Sequence, residues 1–452
     1  MESILVSQAA AWANGKAKGE TQIENIVKDT GDVTKGSLFV AIKGERFDGH
    51  DFIPQAIENG AAAIMTSRKD EKYQAATVYV DDTRQALLDL AGGYREQFDC
   101  PVVAITGSVG KTTTRGMTAS VLSQNYVVHA TTGNLNNQIG LPLSVLGLEY
   151  RHEAAVFEMG MSAFGEIASM VDCAKPTIAV ITTIGTSHIE FLGSREGICR
   201  AKMEILDGLA ARGGIAVLNG DEPLLWEKRD SIYGRKIWFG IHNPDCEIRA
   251  SDITGTSDGL QLTLHLPDAD FPVTLYIPGE HNAVNALAAA AVGWLLGIDA
   301  DGIAAGLAAF APEGRRQKLY EQNGFTIYED CYNASPDSMK AALKVLGGQS
   351  GRRFAVLGSM LELGNYAAQG HYEAGYAAAG NADAVYCYGS HAADIARGAQ
   401  QAGITAIHIF DSHEAMAQAL RADAQKGDAL LFKGSRGMRM ENVLKLFLGE
   451  EV

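Results

Sequence analysis

No two of the six cysteines in this 452-residue sequence form a C-x-x-C pair. Cys100, Cys173, Cys199, Cys246, Cys331 and Cys387 are scattered, which disfavours a close-spaced zinc site or a disulfide framework and favours reduced thiols. Long apolar runs are also missing: the longest, "ALAAAAVGWLLGI" at 286–298, is far short of a bilayer span. Positive charge is scarce, with 38 Lys and Arg against 54 Asp and Glu and a formal net charge of -16. That balance argues against non-specific binding to nucleic acid and against membrane insertion or anionic-surface docking. The opening "MESILVSQAAAWANG" has an acid at position 2 and no basic segment, so no signal peptide is expected. Low-complexity linkers and solenoid-period repeats are absent. A soluble cytoplasmic protein is the expectation.

What is present is an ordinary globular composition, 46% apolar and 20% charged. The length suggests about three domains. Residues 1–98 alternate short strands ("GSLFVAI", "AAAIMT") with a helical segment, "HDFIPQAIENGA", and form a small α/β unit. Residues 99–313 carry "VVAIT", "AAVFEM", "TIAVITTI" and "GIAVLN" between helical segments, the pattern of a central doubly wound, mostly parallel sheet. Residues 314–452 begin with an Asn323-Gly324 hairpin and continue through "RFAVLG", "AVYCYG", "AIHIFD" and "ALLFKG", a Rossmann-like α/β unit. The fold class expected is therefore α/β in three domains.

The stretch "PVVAITGSVGKTTTRGMTASVL" at 101–122 carries the clearest chemistry. A buried strand runs into glycines 107 and 110, and a helix opens at Lys111 and Thr112. Free amides and a helix dipole at such a turn attract an anion, the lysine reaches phosphates and the threonine can ligate magnesium. The match is to a shortened form of the phosphate loop, because position 105 is Ile rather than Gly.

Ligands of open α/β sheets gather at the carboxyl ends of strands. Glu158 closes one strand and is a hard oxygen donor or a solvated strand end. His188 lies in a loop and is a ligand or a structural histidine. Lys202 falls within the apolar stripe Ile198, Ala201, Ile205, Leu209 of "SREGICRAKMEILDGLA". It snorkels to water, the simpler account, or is held inside and carbamylated to act as a metal ligand. Asn134, Asn136 and Asn137 sit in a turn-rich loop and offer amides to a polar substrate. Asn282 and Asn285 share a helix face, Asp330 ends a strand before Asn333, and Pro336 starts a helix. Lys433 and Arg436 stand at another strand-to-helix turn, suited to a carboxylate.

In this order, "GSLFVAIKGERFDGHDF", "TGSVGKTTT", "GNLNNQIGLPL", "EMGMSAFGEIA", "IGTSHIEFLGS", "AKMEI", "PGEHNAVNALAA", "YNASPDSM" and "KGSRGMRME" resemble the Mur ligase family over essentially the whole chain. The resemblance implies an ATP-dependent amide-bond ligase of peptidoglycan precursor synthesis. The motifs fit best the reaction joining D-Ala-D-Ala to UDP-MurNAc-tripeptide. By that likeness Gly107, Ser108, Val109, Gly110, Lys111, Thr112 and Thr113 hold the ATP phosphates. Thr112, Glu158, His188 and a carbamylated Lys202 hold two magnesium ions, with Lys111, His188 and Lys202 catalytic. Asn282 and Asn285 lie at the adenine, Asp330 and Asn333 near the ribose, and Arg315 or Arg316 at the nucleotide. Lys433 and Arg436 face the peptide side, the first unit holds the uridine end, and the chain acts as a monomer.

Departures from the family pattern are Gly31 in place of an arginine, Cys331 in place of a second aspartate, Ser335 in place of an asparagine and Ser359 in place of an aspartate. Other readings are the ligase adding the third residue, folylpolyglutamate synthetase, and a nucleotide-binding regulator that ligates nothing. The first would carry a D-N-P-R motif, which is absent.

Overall fold

Hydrophobic strands bounded by glycine turns build three large sheets in succession along the chain, beside a two-stranded antiparallel pair of Ile4–Leu5 and Gln22–Ile23. The computed structural model describes every residue except Glu45, Ser257, Asp258 and Val452, so the Glu45 part of the motif at 36–52 lies outside the described residues.

The first sheet has five strands in the order Lys16–Lys18, Ala76–Tyr79, Ala63–Thr66, Ser37–Val40 and Asn25–Val27. Only the Lys16–Lys18 edge is antiparallel. Helix Thr83–Arg95 follows, capped by Asp82, whose carboxylate accepts from the amides of Arg84 and Gln85. This helix packs on Gly140–Val145 and Glu166–Ala174 of the next unit. One apolar core therefore runs from Val6 and Leu38 through Leu87 to Val102 and Phe157.

The central sheet has nine strands. Val128–Ala130, Ala154–Glu158, Val102–Thr106, Ile178–Ile181, Ile215–Asn219, Arg235–Gly240 and Ile248–Thr256 lie parallel in that order. Gly259–His265 and Asp270–Leu275 extend it antiparallel. Val102–Thr106 and Ala154–Glu158 are buried throughout, as strands covered on both faces must be. They are neighbours with Glu158 opposite Ile105, so the carboxylate emerges beside the start of the glycine loop.

The third sheet runs Lys318–Gln322, Phe325–Asp330, Ala429–Lys433, Arg353–Gly358, Ala384–Tyr388 and Ala406–Phe410. Its first pair is the expected hairpin, with Asn323 at φ 56 and Gly324 at φ 86. The rest is parallel, with Asp330 opposite Lys433. Ser335 caps the helix Pro336–Gly347, which gives that departure from the family pattern a local role. Cys331 is buried with its thiol on the Phe432 carbonyl at 3.3 Å, and Ser359 accepts from the His391 amide at 3.0 Å. A side chain at Gly31 would meet nothing within 4 Å, so packing does not dictate the missing arginine.

One element is shorter than its sequence pattern. "SREGICRAKMEILDGLA" is helical only over Arg195–Met203 and then breaks into 3-10 turns. Asp207 is extended and Gly208 turns left-handed at φ 65, which ends the helix while Ile205 and Leu209 stay buried. No helix among the described residues is long and apolar enough to cross a membrane. All six cysteines are free, five of them buried and Cys100 partly exposed.

Candidate active site

Strand Val102–Thr106 delivers the chain into the loop 107–110, and Gly110 at φ 88 leads into helix Lys111–Leu122. A Cβ at Gly110 would collide with the side-chain oxygen of Asn285, so glycine is required by both backbone and space. The first amides of the helix lack intrahelical partners by construction and are available to an anion. The amides of Ser108 and Val109 are engaged instead, on the carbonyl (2.9 Å) and hydroxyl (3.1 Å) of Thr183. The Ser108 hydroxyl, by contrast, is buried without a partner. Lys111 folds back to donate to the Gly107 carbonyl at 2.8 Å.

Beside the loop, Glu158 is 1% exposed. Asn136 donates to its Oε1 at 2.7 Å, while its Oε2 is buried without a hydrogen-bond partner, 3.9 Å from Arg115 Nε. Arg115 is itself buried and bonds Glu313 at 2.6 Å. Asn137 shapes the loop: its Oδ1 accepts the amides of Ile139 (3.1 Å) and Gly140 (2.8 Å). Asn134, Asn136 and Asn137 all line a cavity of about 610 Å³ together with Ser108, Val109, Gly110, Lys111, Thr112, Thr113, Glu158 and His188. From the third unit Arg316, Asp330, Asn333, Glu362 and Lys433 close the cavity, and Arg84 reaches it from the first.

Lys202 does not line the cavity. It is buried at 1% exposure and pairs with no carboxylate among the described residues. Burial, with the Lys111 charge added, drives its pKa well below the ordinary lysine value. Burial also lowers Lys111, against the pull of Glu158. Sequence stripe and structure agree that the Lys202 side chain points inward.

His188 sits at φ 64 and places Nδ1 2.6 Å from Glu362 Oε2, itself at φ 63. The His188 contact lowers the Glu362 pKa, opposed by burial. Across the same boundary Asp337 accepts from the Thr186 amide at 3.0 Å and hydroxyl at 3.2 Å.

Besides Lys202 and Gly107, four of the residues singled out from sequence do not line the cavity. Asn282 is fully buried, donating to the Pro278 carbonyl and to Gln317 Oε1, each at 2.7 Å. Asn285 donates to Asn282 at 2.9 Å and accepts from Thr114 at 3.2 Å. Arg315 and Arg436 both pair with Glu441 outside the cavity. Arg316, by contrast, lies 3.6 Å over the Tyr332 ring and lines the cavity. Lys433 is 2% exposed, 2.5 Å from Asp330 Oδ2 and 3.0 Å from the Asn333 carbonyl. Sequence reasoning passed over Gln317, Arg115 and Glu362. Gln317 borders both this cavity and an adjoining cleft of about 1630 Å³ between the second and third sheets.

The donor set fits magnesium. Among the described residues no three His, Cys, Asp or Glu side chains form a metal cage. Magnesium on a nucleotide needs none, because one or two carboxylates and the phosphates suffice. The orphaned Glu158 Oε2, in one cavity with Thr112, is such a half-built site.

A glycine loop, a buried carboxylate and a desolvated lysine in the second of three α/β units fit the class of nucleotide-dependent ligases. The Mur ligase family catalytic domain matches residues 22–95, the Mur ligase middle domain 105–293, and the Mur ligase, glutamate ligase domain 314–436. The chain belongs to the Mur ligase family. It is 41% identical over 435 residues to the UDP-N-acetylmuramoyl-tripeptide–D-alanyl-D-alanine ligase of Bacillus subtilis, covering 94% of this chain and 93% of that one. A crystal structure of MurF from Acinetobacter baumannii superposes with a TM-score of 0.93 at 31% identity, covering all of both chains. MurF from Thermotoga maritima in complex with ADP gives 0.84 at 33% identity over 94% of this chain and 97% of that one.

Proposed function

We infer that the chain is the ATP-dependent ligase that joins D-Ala-D-Ala to UDP-MurNAc-tripeptide in peptidoglycan precursor synthesis. The end-to-end likeness to the Bacillus subtilis ligase is the observation that carries the substrates. The same reading divides the chain at 1–98, 99–313 and 314–452, with the first unit on the uridine end.

The residues divide the work by position. The helix amides from Lys111 to Thr113 and the Lys111 ammonium hold the phosphates of ATP and offset charge as the tripeptide carboxylate attacks the γ-phosphorus. Thr112, Glu158 and His188 hold magnesium, two ions in this reading, and the metal supplies Lewis-acid stabilisation of the phosphoryl oxygens. Burial and the nearby Lys111 charge disfavour the charged form of Lys202. The neutral amine is the form that adds carbon dioxide, with loss of a proton, to give a carbamate, which is the remaining ligand in this reading. Asn136 orients Glu158 and leaves Oε2 to the metal. The acyl phosphate then meets the amine of D-Ala-D-Ala, and the tetrahedral intermediate collapses with loss of phosphate. Asp330 and Arg316 face the nucleotide and Lys433 with Asn333 the third-unit wall, while Asn282 and Asn285 act behind Gln317 rather than on adenine themselves.

The free thiols and the acidic net charge fit a cytoplasmic site of action, and the reading takes the chain as a monomer. Phosphate release from ATP and magnesium, with UDP-MurNAc-tripeptide and D-Ala-D-Ala omitted in turn, tests the reading. It requires release that depends on both, with a UDP-MurNAc-pentapeptide mass. Release indifferent to D-Ala-D-Ala would sink it.

A further inference from the structure

His188 and Glu362 face one another from different sheets, and both hold left-handed backbone, φ 64 and φ 63, outside glycine. Such conformations cost of order 1–3 kcal/mol each and persist only where the surroundings over-determine them. The surroundings of Glu362 do so. The Met360 amide donates to His371 Nε2 at 2.7 Å, and His371 Nδ1 in turn meets the Ala367 carbonyl at 2.6 Å. The Leu361 amide donates to the Ser435 hydroxyl at 2.9 Å, and the Ser435 amide to the Ser359 carbonyl at 3.1 Å. Met360 and Leu363 are buried on either side. A side chain at Gly364 would press on Glu190, at 3.0 Å, so the turn after Glu362 is tight against the helix that follows His188. Glu362 is thus presented, rather than left to swing, toward one ring nitrogen of His188.

His188 Nδ1 approaches Glu362 Oε2 to 2.6 Å, an ion-pair distance without an aligned hydrogen bond. A carboxylate on that side leaves Nε2 for a metal, and a carboxylate on the far nitrogen fixes tautomer and ring orientation. We propose that Glu362 is a positioning residue for the magnesium site: from the third unit it holds His188 of the second, so the metal ligand is oriented only when the two units are docked. This rests on the reading of His188 as a metal ligand given above. It differs from a contact to the incoming dipeptide, which would leave the metal untouched.

Mn²⁺ serves as the probe, with free metal followed by electron paramagnetic resonance on the full chain in the presence of saturating ADP. Wild type should bind Mn²⁺. Glu362→Ala should weaken it about 10-fold or more, the usual effect of losing such a partner, with ADP affinity and the KM for D-Ala-D-Ala unchanged. Glu362→Gln keeps an acceptor oxygen in the same shape and should recover most of the loss, which a folding defect would not allow. Unchanged Mn²⁺ affinity in Glu362→Ala, with His188→Ala weakened, would overturn the role of Glu362 alone. So would a raised KM for D-Ala-D-Ala with normal Mn²⁺ binding. Absence of Mn²⁺ binding in the wild-type ADP complex would overturn the metal reading itself and this inference with it.

Discussion

Asn136 donates to one oxygen of Glu158 at 2.7 Å and leaves the other oxygen buried with no hydrogen-bond partner. A carboxylate held on one side and open on the other is oriented for a cation. Asn136→Ala is expected to lower ligation about 10- to 100-fold at limiting magnesium, with part of the loss recovered at high magnesium. A magnesium titration of the rate checks this. Equal loss at every magnesium concentration would assign Asn136 to substrate instead.

Lys202 gives a pH prediction whose sign follows from its surroundings. Its folded pKa is well below the ordinary value, so between that lowered value and about 10.4 the unfolded chain binds a proton that the folded chain does not. Stability must therefore rise with pH across that window. In carbon-dioxide-free buffer near pH 7, Lys202→Met is expected to melt about 2–4 °C higher, the shift ~1 kcal/mol produces in domains of this size, and to lose the alkaline slope. It should also abolish ligation, a stability–activity exchange. Calorimetry from pH 6 to 10 measures the slope.

Lys433 and Asp330 form a buried pair whose partners are opposite each other in the sheet register. Asp330→Asn leaves the ammonium uncompensated and is expected to cost about 3–5 kcal/mol of unfolding free energy. Lys433→Met with Asp330→Leu should recover most of that while leaving nucleotide binding impaired. Urea unfolding followed by tyrosine absorbance decides. Equal destabilisation by the single and double variants would rule the account out.

Gly110→Ala sets a side chain against Asn285 at a φ of 88. The left-handed penalty alone is roughly 1–2 kcal/mol, so ADP affinity should fall about 5- to 30-fold where binding requires that turn. Combining it with Asn285→Ala removes the collision but not the backbone cost, and should restore only part of the binding seen by calorimetry.

The strand, turn and helix at 101–122 were legible because each uses a local rule: apolar run, glycine, helix start. The Asn323-Gly324 hairpin and the Ser335-Pro336 helix start were legible for the same reason. The antiparallel extension was not read, although buried Leu260, Leu262 and Leu264 alternate along one of its strands, and its place at the end of a parallel sheet had no local sign. The helix through Lys202 read too long, because the apolar stripe continues past the turn at Gly208. Arg115, Glu362 and Gln317 drew no reading from the sequence. Their roles depend on how units far apart in sequence dock, which no spacing along the chain encodes. The choice between Arg315 and Arg316 is of the same kind: adjacent in sequence, they face Glu441 and the cavity respectively.

The distribution of thiols makes the protein its own reporter. Cys173, Cys199 and Cys246 are buried in the central unit and Cys331 and Cys387 in the last, while the first ninety-eight residues hold none. Burial raises the pKa of all six thiols, and five of them are also shielded from solvent, so native molecules react slowly with alkylating reagents and first at the partly exposed Cys100. Each mass increment then marks an opening of one particular unit, and the order in which the tags accumulate is a calendar of which part of the ligase comes undone first.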